Sequence, residues 1–566
     1  MDDIFHITVQ EIDEAGVLHL HAEGRAVRRI ANHKLRIIAV FQAGSAVRRF
    51  PMDAACVDDG KAVSFRVEQM ISLRDIFYEV PDSIEKRAVA VEFEYCDAAG
   101  VWTKFPERIE LSGAFFQKQK GEHSFIGTLA RRAAYAACTL LLPVWLLDGW
   151  LVVKGYKKSP YVDEEVKGKK GMFYHAQGIV NHLTGYGYSL REFKTNYFAR
   201  QYRRACHKIA VPEGIFFLSE RKADRGGNLD LVRRGIQSGS QKWEEFIDVR
   251  PIHKLPFSKI RRAARLAAGA RVIVLEDFYP QIHALTLRKE TKLVQLWHAC
   301  GAFKMFGLSD IGKVNHLGQD TKNHRNYSFA FVSGTHMVPF YSEAFGIAPE
   351  QVLPLGVPRT DVFFDSGYRE RIRKELYARY PVLEGRRVVL FAPTFRGSGK
   401  KRAYYPVEHF PVDEFLSRLP GDTVLVVKNH PFVKDTFPCS EAYSGRVLDL
   451  TGKENINDLL FVADLLVTDY SSCIFEAALL KLPMLFYVFD LEEYVSGRDI
   501  YFDFSSFAPG SRADTFDELT AAVLGLLEGD GQEQRERLDV FCEYFLDRLD
   551  GHSTERILKF VKKLAE

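Results

Sequence analysis

The sequence predicts an α/β protein in which an all-β sandwich precedes a pair of Rossmann-like domains. Three observations predict it. The first 112 or so residues read as short alternating strands, whereas from about residue 213 apolar runs without period-two alternation are separated by helical stretches. That strand-then-helix pattern occurs in two successive sets. The chain, at 566 residues, is also longer than one hydrophobic core usually serves.

In chain order, HITVQEI, VLHLHAEG, KLRIIAVFQ, AVSFRVEQ and AVAVEFEYC are strand-like, divided by turn clusters such as DEAG, DDGK and DAAG. Residues 1–112 are therefore expected to form an accessory β-sandwich with no catalytic constellation. Residues 113–170 are expected to associate with a membrane. Between Ala133 and Val153 only Asp148 carries a charge, and Pro143 interrupts the run. Arg131, Arg132, Lys154, Lys157 and Lys158 flank it, and Trp145 and Trp150 suit the headgroup level. With Asp148 and Pro143 near its middle, an in-plane segment fits better than a spanning helix. A buried helical hairpin is the alternative.

Residues 171–375 and 376–566 are expected to be the two Rossmann-like domains, joined near VPRTDVFFDSGYRERIRKELYARYPVLEG. GIFFLSE, RVIVLED, KLVQLWH and FAFVSG form the first strand set; RRVVLFAPT, DTVLVVKNH, DLLVTDY and PMLFYVFD form the second. Continuous apolar runs of this kind belong to parallel strands covered on both faces.

Composition narrows the function. A formal charge of +3 is too small to argue nucleic-acid binding. The eight cysteines form no CxxC and no Cys/His cluster, which suits a reducing compartment and gives no zinc site. The first residues, MDDIFHITVQEIDEAG, show no signal-peptide pattern, so a cytoplasmic location is expected. Neither GxxxxGK[ST] nor GxGxxG occurs, which argues against ordinary ATPase and dehydrogenase readings.

Ligands of open α/β sheets bind beyond the carboxyl ends of the strands. Reading each strand to its end gives His298, then Thr394 and Arg396, then Lys428 and His430, then Asp469, Ser471 and Ser472. Ser471 and Ser472 stand where a helix is expected to begin, a position that suits either an anion or plain capping. The two histidines, one from each domain, suit a general base and a phosphate-stabilising partner.

QLWHACGAFKMFG, APTFRGSG, KNHPF, NINDLLFVADLLVTDYSSCIFEAALLKLPMLFYVFD and GRDIYFDF resemble the CDP-glycerol glycerophosphotransferases. These are teichoic-acid primases and polymerases, a family that also includes capsule polymerases. The resemblance covers about residues 190 to 550. It implies a glycosyltransferase-B-like fold and a CDP-glycerol donor, or a related CDP-polyol such as CDP-ribitol, held by the C-terminal half. It also implies a lipid-linked or polymeric polyol-phosphate acceptor, and work at the cytoplasmic face of the membrane. Under it, His298 matches the proposed base and His430 the histidine acting on the diphosphate. Arg396, Ser471 and Ser472 match phosphate-binding positions, Asp469 a loop brace and Glu476 a residue approaching the ribose. No cofactor is required, although Mg²⁺ can arrive on the donor's phosphates. Ala299 departs from the pattern, standing where the family has glycine.

Two rivals remain at this stage. A nucleotide-sugar glycosyltransferase would share the architecture, but no E-x₇-E follows the nucleotide strand, since the eighth residue past Glu476 is Met484. A non-catalytic assembly scaffold would not need these histidines, arginine and serines together.

Overall fold

The computed structural model describes most of residues 4–111 and, apart from isolated positions before it, residues 190–566 except 222–225, 311–323, 398–402, 492, 495–499, 503 and 530–531. The apolar segment expected to meet a membrane lies outside the described residues. Among the described residues no helix is long and apolar enough to cross a membrane.

The N-terminal part contains eight strands: β1 Ile4–Ile12, β2 Val17–Ala26, β3 Arg36–Ala43, β4 Ala46–Met52, β5 Ala54–Asp58, β6 Val63–Ser72, β7 Val89–Cys96 and β8 Trp102–Leu111. They form two four-stranded sheets, ordered β1-β2-β6-β5 and β4-β3-β7-β8, with every pairing antiparallel. Leu18, Leu20 and Ala22 alternate inward along β2, and the rings of Phe65 and Phe105 bring the two sheets together at 5.5 Å. Strands β4, β5 and β8 were not apparent in the sequence. The prolines in β4 and β8 account for two of these. Pro51 sits in β4 and Pro106 in β8, both sheet-edge strands, and the register shifts between Glu92 and Glu94 opposite Pro106. An edge strand or bulge is where a residue without an N–H is tolerated.

The first α/β unit is a six-stranded sheet built from β9 Ile215–Ser219, β10 Trp243–Ile247, β11 Val272–Leu275, β12 Lys292–Gln295, β13 Phe329–Phe331 and β14 Val352–Leu353. Its order is β10-β9-β11-β12-β13-β14, and all its pairings are parallel. The second is built from β15 Arg387–Phe391, β16 Thr423–Val427, β17 Val447–Asp449, β18 Leu465–Thr468, β19 Met484–Tyr487 and β20 Ser511–Ala513. It runs β17-β16-β15-β18-β19-β20, again wholly parallel. Counted within itself, this is the 3-2-1-4-5-6 order of dinucleotide-binding proteins. The order reverses between β15 and β18, and in open α/β sheets such a switch point is where ligands bind.

One buried cluster runs through both units, from Phe216 and Leu218 on β9 to Ile474, Phe475 and Phe541. The backbone joins them too: Tyr501 N–H donates to the Phe303 carbonyl at 2.9 Å. The final helix, Ser553–Ala565, which the expected boundary at 375 assigns to the second unit, instead packs on the first sheet. Its Ile557 and Val561 lie with Phe217, Val272 and Val274, while Phe560 meets Phe329 and Phe331 edge-on. Asp361 caps this helix, accepting from the Ser553 and Thr554 N–H groups at 2.9 and 2.8 Å.

Candidate active site

Thr394, Arg396 and Asp469 meet at the switch point of the second sheet. Thr394 and Arg396 follow β15, and Asp469 follows β18. Asp469 is buried, and its Oδ1 accepts from the Thr394 N–H and hydroxyl at 2.8 and 2.9 Å. Its Oδ2 accepts from Arg396 Nη1 at 2.7 Å. Asp469 thus ties the loop after β15 to the end of β18. Thr394 and Arg396 take a different role from the one expected of them. Arg396 binds Asp490 in a two-pronged contact, Nε to Oδ2 at 2.7 Å and Nη2 to Oδ1 at 2.8 Å. Nη1 also donates to the Thr394 carbonyl at 2.7 Å. Tyr470, Tyr494, Tyr405 and Phe489 surround the guanidinium. Burial disfavours its charge, but the two carboxylates more than offset this and hold its pKa above the usual range. A fully engaged, 8 % exposed guanidinium shapes the phosphate loop rather than reaching into it.

Ser471 and Ser472 precede the helix Ile474–Leu479. Ser471 Oγ accepts from the Cys473 N–H at 3.4 Å, and Ser472 is exposed. The helix has six residues, so its dipole is small. Any anion here would rest on hydroxyls and individual N–H groups more than on a helix dipole.

His430 lies over Phe395, between Thr394 and Arg396 in sequence, with ring centroids 4.8 Å apart. Its Nδ1 accepts from the Phe432 N–H at 3.2 Å. In the neutral ring this leaves Nε2 as the N–H, suited to donate to a phosphate oxygen. The side chain of Lys428, half-buried before it, makes no hydrogen bond or ion pair among the described residues; burial lowers its pKa, and Asp449 and Glu454 counter that.

His298 arrives from the first unit, two residues beyond Leu296, which directly follows β12. The residue between, Trp297, has φ +57°, a left-handed conformation that a bulky residue adopts only when held there. Three contacts hold it. Its N–H donates to Gln295 Oε1 at 2.9 Å, its carbonyl accepts from Asn228 Nδ2 at 2.8 Å, and its indole stacks on Phe306. Asp277, just past β11, sits 3.4 Å from His298 Nδ1, which has no closer polar partner. Burial would raise the Asp277 pKa; His298, Arg221 and the Phe278 N–H reverse this and hold it below the usual range. With a carboxylate on the Nδ1 side, Nε2 is the nitrogen left to take a proton.

The loop that carries His298 and the loop after β18 adjoin. Gly301, at φ +66°, lies so close to Phe475 that a Cβ would stand 2.3 Å from its ring. The Gly301 N–H is held by Ser333 Oγ, which in turn donates to the Phe545 carbonyl. Ala299 has no positive φ, so its backbone does not require glycine. Glu476, 1 % exposed, was expected near a ribose; its Oε1 is ion-paired with Arg359. Asp277, Asp490, Arg359 and Asn228 were not singled out from sequence. Asp277 and Asp490 each carried a signal, as the last residues of RVIVLED and PMLFYVFD at strand ends. Among the described residues no group of three His, Cys, Asp or Glu side chains could hold a metal ion.

The fold and site therefore define a two-unit α/β protein with a nucleotide-type switch point faced by a histidine. The family model of CDP-Glycerol:Poly(glycerophosphate) glycerophosphotransferase matches residues 246–563, more than half the chain, and the chain belongs to that family. It is 38% identical over 349 residues to the teichoic acid poly(ribitol-phosphate) polymerase of Bacillus spizizenii, covering 61% of this chain and 55% of that protein. It is 39% identical to the ribitol-phosphate polymerase TarK of Staphylococcus aureus, covering 61% of this chain and 67% of TarK. To the teichoic acid glycerol-phosphate primase of Bacillus subtilis it is 30% identical, covering 56% and 77%. The chain thus spans little more than half the length of the first of these relatives. The wall teichoic acid polymerase TagF has a similar fold, with a TM-score of 0.53 and 18% identity, over 68% of this chain and 96% of TagF.

Proposed function

We propose that this protein transfers a polyol phosphate from a CDP-polyol to a hydroxyl of a lipid-linked or polymeric polyol-phosphate acceptor, releasing CMP. The observation that carries this reading is the meeting of the His298 loop with the 469–476 loop at the switch point of a nucleotide-type sheet. His298 Nε2 takes the proton of the acceptor hydroxyl as its oxygen attacks the β-phosphorus of the donor. The bond from that phosphorus to the bridging oxygen breaks, and CMP leaves with the electron pair. His430 Nε2–H, Lys428 and the Ser471 and Ser472 hydroxyls stabilise charge on the phosphates. Positioning dominates, because phosphoryl transfer asks little covalent chemistry of the protein. Mg²⁺, if used, would arrive with the donor's phosphates.

Glycerol phosphate and ribitol phosphate are both supported as the transferred group. The family model carries the glycerol name, while the ribitol-phosphate polymerases share 37–39% identity with this chain. The rest of the reading is a glycosyltransferase-B-like pair of domains with a β-sandwich accessory, working at the cytoplasmic membrane face on teichoic-acid or capsule-like polymers.

The test is CMP release from CDP-glycerol and from CDP-ribitol with a short lipid-linked acceptor, resolved by product length. His298→Ala and His430→Ala are each expected to lower the rate at least about 100-fold. CMP from neither donor, with turnover of a nucleotide-sugar, would replace this reading with a glycosyltransferase.

A further inference from the structure

A buried chain of polar contacts links the two halves of the site. Asn228, 2% exposed at the start of the helix Asn228–Gln237, donates from Nδ2 to the Trp297 carbonyl at 2.8 Å. Its Oδ1 accepts from the Arg359 N–H at 2.8 Å. The Arg359 side chain reaches Glu476 Oε1 across the junction between the units. The chain begins at the strained residue immediately before His298 and ends one turn beyond the Ser471–Ser472 loop. Glu476 Oε2 takes no hydrogen bond from a described residue, so the pairing leaves one carboxylate oxygen available.

We infer that Asn228 and Arg359 are positioning residues, which set His298 relative to the donor end of the cleft by tying the Trp297 carbonyl to Glu476. Asn228 satisfies both its bonds from a rigid helix start, and Arg359 follows Pro358, whose ring fixes the local backbone. A left-handed tryptophan is costly and relaxes when its restraints are removed. Removing the Asn228 amide therefore moves the base while the donor site keeps its shape. Removing the Arg359 guanidinium instead leaves Glu476 buried and unpaired, which disturbs the donor end.

This inference rests on the proposed transfer reaction, so its test has one readout independent of turnover. Asn228→Ala and the near-isosteric Asn228→Asp, which lacks the amide donor, are made in the full chain. Backbone hydrogen exchange at residues 295–301 is expected to rise at least about tenfold in both, with the second sheet unchanged. In the CMP assay, kcat is expected to fall at least about tenfold while the donor KM stays within about threefold. Arg359→Ala is expected to raise the donor KM, and Arg359→Lys to restore much of that loss. A kcat within about twofold of the parent in both Asn228 variants overturns the inference, as does unchanged exchange at 295–301. Should the parent release CMP from neither CDP-polyol, the transfer reading fails and the exchange result alone decides this one.

Discussion

With Asp469 on one side and Asp490 on the other, Arg396 carries one positive charge between two negative ones. Truncating it leaves two largely buried carboxylates without a countercharge, which is far costlier than losing a surface ion pair. Arg396→Ala is expected to destabilise the second unit by about 3–5 kcal/mol, read by urea unfolding. An unchanged unfolding midpoint with a raised donor KM would restore the direct phosphate contact that the sequence suggested. Strand ends could be read from the sequence, and so Thr394, Arg396 and Asp469 were found together. Asp490, although it ends the run PMLFYVFD, was passed over, and its pairing with Arg396, 94 residues away, is made only by the folded sheet. For the same reason Asn228 and Arg359, 131 residues apart, left no local signal.

Among the elements, β12 and β13 enclose a polar network behind the base loop. His283 Nδ1 meets Asn326 Oδ1 at 2.6 Å, His324 Nδ1 meets the Tyr327 hydroxyl at 2.9 Å, and Gln295 donates to that hydroxyl at 3.0 Å. Burial pushes the pKa of His283 down to about 4 and that of His324 well below its ordinary value. Both rings are neutral in the fold and bind protons more readily when the chain unfolds. Their contribution is therefore fully present above about pH 6.5 and is lost as pH falls from there toward 4. Melting temperature is expected to drop between pH 7.5 and pH 5, and His283→Gln to flatten that drop; an equal drop in the variant would point to other groups. Strands with uninterrupted apolar runs were legible because both faces are covered. The edge strands β4 and β8 were not, since each carries a proline and pairs on one side only.

At the scale of the molecule, the two α/β units share a core and are tied by the 357–364 junction and by the returning C-terminal helix. Deleting residues 553–566 removes Ile557 and Val561 from the face of the first sheet and leaves Phe217, Val272 and Val274 uncovered. Limited proteolysis of such a deletion is expected to cut the 215–353 region first; cutting that starts in the 387–513 region would contradict this assignment. That helix also orders events during synthesis. The strands of the first sheet leave the ribosome about 200 to 330 residues before the segment that covers them, so that sheet stays unfinished until Ser553–Ala565 has emerged. A chain released before that helix is made would expose an apolar face on its earlier α/β unit, where chaperones would hold it and proteases would find it.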